Sequence, residues 1–171
     1  MEIPMIWKGG YVMQIRTEQE ALFVACEMES MAVQLYTRAL QVMQQLGREG
    51  EALYASIEEM LMEEKGHLDR FRSLYRGLEE GSEEQLTLAA VGEGVLFEGG
   101  LMGAARRGLL KDVDSMLALA INAERMSIRK YREFAESAQT EVARKALLMI
   151  AEEESGHLME LEAAAEAVQH S

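Results

Sequence analysis

Apolar residues recur every three or four positions along four long stretches of this chain, the period of helices that each bury one face. The first stretch opens after Thr17, where Thr17 and Glu20 have the spacing of a capping box. It reaches about Leu46 before a break from Gly47 to Gly50. Leu22, Ala25, Glu29, Ala32, Tyr36, Ala39 and Met43 fall on its inner stripe. A second stretch follows at once, from about Glu51 to Glu79, with Leu53, Ile57, Met60, Glu64, His67, Phe71 and Leu74 on one face. So short a turn predicts an antiparallel hairpin. Two further helices, from an Asp112 N-cap to about Ala138 and from Thr140 to about Gln169, predict a second hairpin.

Between the hairpins the pattern breaks. Gly81 to Gly108 interleaves glycines with apolar residues such as Val91, Val95, Leu96 and Phe97, which predicts a connector and not another long helix. At ~3.3 Å per residue such a segment can cross a whole bundle. Period-2 runs of β-branched residues are nearly absent, and Pro4 is the only proline. The expected fold is all-α: a four-helix bundle of two antiparallel hairpins over 17–171, with a crossover at about 80–111, after an N-terminal extension over 1–16.

Composition narrows the function. A formal charge of -13 excludes a nucleic-acid groove or an anionic membrane surface as partner and leaves metal cations open. The lone Cys26 excludes an internal disulfide framework and an all-cysteine metal centre, and a cytoplasmic setting is expected. No apolar run reaches the ~18 residues of a membrane span. Thirteen methionines on helical stripes are read as flexible core filling.

The two hairpins repeat each other at their polar inner positions. Glu63 to Leu68 reads EEKGHL and Glu153 to Leu158 reads EESGHL, identical but for one residue. Glu29 to Tyr36 and Glu124 to Tyr131 share the Glu, a Met two positions later and a Tyr seven later. Each half therefore offers one Glu and one Glu-x-x-His, and residues three apart share a helix face. Counted from the hairpin turns, Glu29, Glu64, Glu124 and Glu154 all lie ~20 to 25 Å along their helices at 1.5 Å per residue. One mid-bundle site can thus gather Glu29, Glu64, His67, Glu124, Glu154 and His157. Four carboxylates facing a dry core would cost several kcal/mol each or stay protonated. A pair of divalent ions resolves that conflict, and four oxygen donors with two nitrogens suit iron or manganese. Glu27, Glu63, Glu152 and Glu153 are read as solvated flank, supporting the ligands at most.

These residues resemble the ferritin-like superfamily and, within it, a rubrerythrin-type di-iron domain. The resemblance spans about residues 17–169 and implies a left-handed bundle with its long crossover between the second and third helices. It implies that Glu64 and Glu154 bridge two Fe ions, that Glu29 and Glu124 cap them, and that His67 and His157 supply one nitrogen each. Mn or Zn could stand in their place. Tyr36 and Tyr131 would lie beside the metal as catalytic hydrogen-bond donors. Two features depart from rubrerythrins. Ser127 occupies the position of a further carboxylate, and the two CxxC pairs of a rubredoxin module have no counterpart here. The six-ligand set is closer to a bacterioferritin-like ferroxidase centre.

The implied activity is reaction with hydrogen peroxide or dioxygen, as a peroxidase or ferroxidase, with electrons from an external donor. Two alternatives share the ligands: an iron-binding or storage module without a catalytic cycle, and a di-iron hydroxylase with an open apolar channel. A purely structural bundle is the third. The apolar N-terminal segment with Trp7 and Tyr11, together with the glycine-rich crossover, predicts a homodimer that buries one of them.

Overall fold

The computed structural model describes residues 13–170. Helices α1 (Glu18–Gln45) and α2 (Ala52–Leu74) form one hairpin, and α5 (Val113–Glu136) and α6 (Glu141–Gln169) form the other. No strand occurs among the described residues. The caps explain the boundaries. Thr17 accepts from the Glu20 amide while Glu20 accepts from the Thr17 amide, closing the expected capping box. At the other end of α1, Gly47 takes a left-handed φ of 66°, and the Arg48 amide donates to the Met43 carbonyl, a Schellman ending that starts the turn. Asp112 and Thr140 cap α5 and α6 through the amides of Ser115 and Ala143.

Helix α2 ends at Leu74, short of the expected Glu79. The reason lies on α1: the Gln19 amide group donates to the Leu74 carbonyl while its oxygen accepts from the Arg76 N–H. That side chain replaces the next helical hydrogen bonds, and Tyr75 turns into an extended conformation. The crossover, expected as a plain connector, carries two short helices, α3 (Ser82–Gly92) and α4 (Gly100–Arg106). Both pack on α1. Gly103 is required where α4 folds back on its own start, because a Cβ there would lie 1.9 Å from the Glu98 carbonyl oxygen.

Helix α1 lies against α2 and α5, and α6 against α5 and α2. Two apolar clusters close this helical bundle. One joins the start of α1 to the ends of α2 and α5 and the start of α6, with Leu22, Phe71, Phe134 and Leu147, and is covered by Leu86 and Ala90 of α3. The other joins the opposite ends, with Met43, Ile57, Leu117 and Leu161, and is covered by Ala104 of α4. The crossover therefore runs from one end of the bundle to the other along α1. Glu18, 8% exposed, fastens the hairpins by accepting from both the amide and the hydroxyl of Thr140. No described helix is long and apolar enough to cross a membrane.

Candidate metal centre

Between the two apolar clusters the bundle is polar. Glu29, Glu64, His67, Glu124, Glu154 and His157, one or two from each long helix, are each 5% exposed or less. They fall into two groups whose ligand atoms lie within 4.8 Å of one another: Glu29, Glu64, His67 and Glu154; and Glu64, Glu124, Glu154 and His157. Glu64 and Glu154 belong to both. All six expected ligands are thus brought together, and the two glutamates of the Glu-x-x-His repeats occupy the shared position. The imidazole rings of His67 and His157 stack with centroids 6.0 Å apart.

Each imidazole is oriented by a carboxylate from the other hairpin. His67 Nε2 lies 2.6 Å from Glu153 Oε2, and His157 Nε2 lies 2.6 Å from Glu63 Oε2. An ionised carboxylate only accepts, so Nε2–H is the donor and Nδ1 is turned inward. His157 Nδ1 lies 2.9 Å from both Glu64 Oε1 and Glu154 Oε2, and His67 Nδ1 lies 3.3 Å from Glu154 Oε1. Glu63 and Glu153, read from the sequence as solvated flank, are therefore partly exposed supports of the two imidazoles. The signal was present in the repeat, since both hexapeptides begin with that glutamate.

The tyrosines also cross between hairpins. Tyr131 Oη donates to Glu29 Oε1 at 2.7 Å, and Tyr36 Oη donates to Glu124 Oε1. Both rings are buried, and Tyr131 meets Phe71 edge-on. Tyr131 fixes Glu29 Oε1 and leaves Oε2 facing His67 Nδ1 at 3.8 Å, whereas the Glu124 oxygen held by Tyr36 is itself 3.6 Å from His157 Nδ1.

Electrostatics show what this arrangement lacks on its own. Burial, then the Glu64 charge, pushes the Glu29 carboxyl up to about 8. Burial and the charges of Glu29, Glu64 and Glu124 raise Glu154 as well. Burial also acts to raise Glu64, but hydrogen bonds with Glu29, His157 and His67 hold it below the usual range. The imidazoles go the other way: burial opposes their charge, yet the surrounding carboxylates carry both well above an ordinary histidine. Protons are thus the only cations the cluster can recruit from within. Four buried atoms still have no hydrogen-bond partner: Oε2 of Glu29, Glu64 and Glu154, and Nδ1 of His67. All belong to one candidate group, and a run of inward lone pairs is the donor set that a hard divalent cation completes. The residues fit a metal site.

Comparison of the chain with family models, with curated proteins and with solved structures returns no match.

Proposed function

We propose that the chain is a ferritin-like, rubrerythrin-type di-iron carboxylate protein that reacts with hydrogen peroxide or dioxygen. The observation that carries the reading is the sharing of Glu64 and Glu154 by two buried ligand groups, one from each hairpin. Glu29 and His67 complete one position, and Glu124 and His157 the other. A bound iron pair would supply two electrons to the oxidant, one from each ion. The chain's own part is to hold four carboxylates and two imidazoles at fixed directions in a dry interior. Tyr131 and Tyr36 keep Glu29 and Glu124 oriented, and Glu153 and Glu63 keep the imidazole Nδ1 atoms turned inward. The half-exposed side chains of Glu63 and Glu153 connect each imidazole Nε2 proton to solvent. Electrons for repeated turnover come from an external donor.

Anaerobic loading with two equivalents of ferrous ion, followed by stopped-flow mixing with peroxide or with air-saturated buffer, tests this reading. Rapid consumption of one oxidant with a matching rise in near-ultraviolet absorption is expected. Failure to bind iron, or indifference of the loaded protein to both oxidants, overturns it. A second reading, oxidation of an organic substrate at the same centre, is favoured by one observation: a largely apolar cavity reaches Glu124 from the crossover side.

A further inference from the structure

The cavity lies between α1, α5 and the crossover, and its volume is about 560 Å³, within the range of small-molecule sites. Met28, Met31 and Leu35 of α1 form one wall, and Val95 and Phe97 of the crossover form another. Its inner end has two polar residues one turn apart on α5, Glu124 and Ser127. Ser127 is 8% exposed, and its hydroxyl makes no hydrogen bond among the described residues. That hydroxyl is not sealed in the protein interior: it opens on the cavity, where a ligand can reach it. Arg107 and Arg129 also line the cavity, and both are exposed. Arg107 donates to the Glu98 backbone carbonyl and Arg129 to the Met126 sulfur, so neither guanidinium meets a carboxylate among the described residues. Their neighbour Arg125, by contrast, pairs with Glu162 at 2.7 Å. Both guanidinium groups are therefore available to an anionic group in the cavity.

An apolar wall, two available guanidinium groups towards solvent and a hydroxyl at depth define an elongated ligand with an anionic head. We propose that this cavity binds an apolar monocarboxylate, of which a medium-chain fatty acid is the simplest member. Its carboxylate meets Arg107 and Arg129, and its chain runs along the methionine wall towards Ser127 and Glu124. The flexible thioethers of Met28 and Met31 suit a ligand whose chain length varies. The inference deepens the second reading by naming its substrate class. It rests on that reading for the chemistry, not for the binding.

The test is calorimetric titration of the full chain, metal-free and zinc-loaded, with decanoate and with decanol as the uncharged control. One saturable decanoate site per chain is expected in both forms, with decanol at least tenfold weaker. The double substitution Arg107→Gln with Arg129→Gln should weaken decanoate at least tenfold and leave decanol unchanged. Ala32→Phe, which fills the cavity from α1, should remove binding of both while the helical circular dichroism is kept. If that variant does not fold, the arginine pair on exposed side chains decides alone. Absence of a saturable site, decanol binding as tight as decanoate, or unchanged affinity in the arginine variant overturns the inference. So does binding by the zinc-loaded chain only, which would put the carboxylate on the metal. Zinc content after dialysis separates the two claims: a chain that binds decanoate but retains no zinc keeps this inference and loses the metal centre, and the converse result does the reverse.

Discussion

On the α1/α5 side of the polar cluster, Glu29 and Glu124 are almost fully enclosed and are held by tyrosine hydroxyls from the opposite hairpin. On the α2/α6 side, the equally enclosed His67 and His157 are held by Glu153 and Glu63, whose side chains are 48% and 56% exposed. One repeat produced both sides, and they differ in their access to water. A tyrosine hydroxyl offers a fixed hydrogen bond and, buried beside carboxylates, is itself raised well above its ordinary range by burial and then by their charge. A half-exposed carboxylate meets water directly. Both faces are thus oriented by side chains from the opposite hairpin, but only the α2/α6 face is supported by groups that reach solvent.

The largest effect should come from the residues common to both faces. Glu154→Gln or Glu64→Gln removes a ligand from both groups at once, so equilibrium dialysis against ferrous or zinc ion should show no retained metal. Glu124→Gln, which serves one group only, should halve the stoichiometry. Next in size is the pH dependence of loading. Because Glu29 keeps its proton up to about 8 in the metal-free protein, an incoming cation must displace it. Glu154 and both imidazoles are also held above their ordinary ranges, so affinity should rise as pH climbs through the neutral range and go on rising above about 8, with proton release seen in a lightly buffered titration. Replacing the imidazole supports should follow. Glu63→Gln or Glu153→Gln is expected to weaken metal binding about 10- to 100-fold, because Nδ1 is then less well oriented. Tyr131→Phe leaves a buried carboxylate oxygen without a partner, at about 1–3 kcal/mol of stability, to be read from denaturant unfolding of the metal-free chain. Tyr36→Phe should match it; a clear inequality would show that the two hairpins are less alike than their sequences.

Smallest is the response of Cys26, one turn before Glu29 on α1. Burial pushes its thiol up to about 11, and the residue is 7% exposed. Iodoacetamide at pH 8 should label it far more slowly in the native protein than in denaturant, as followed by mass spectrometry.

Most of the bundle was legible because its signals are local. Thr17, Asp112 and Thr140 announce helix starts within four residues, and the repeated hexapeptides mark which glutamates and histidines face inward. The early end of α2 was not legible, because it depends on Gln19, 55 positions away in sequence. Helices α3 and α4 were hidden by glycines that read as breakers but that here serve as left-handed starts, Gly81 and Gly99. Glu63 and Glu153 were set aside because an exposed glutamate beside an inner one has the pattern of a solvated flank. Only the crossing of side chains between hairpins, a tertiary fact, reveals their contacts. Trp7 and Tyr11, on which the expected dimer partly rested, lie outside the described residues.

Each ligand group draws on both hairpins: the first takes Glu154 from α6, and the second takes Glu64 from α2. Half of this protein is therefore not half of a metal site. An emerging polypeptide with only α1 and α2 complete could offer a cation no closed shell of donors, so uptake must wait for the second half to be synthesised and docked. An ion taken up by these groups would act as a late lock on a finished chain, and a truncated product would betray itself by staying metal-free.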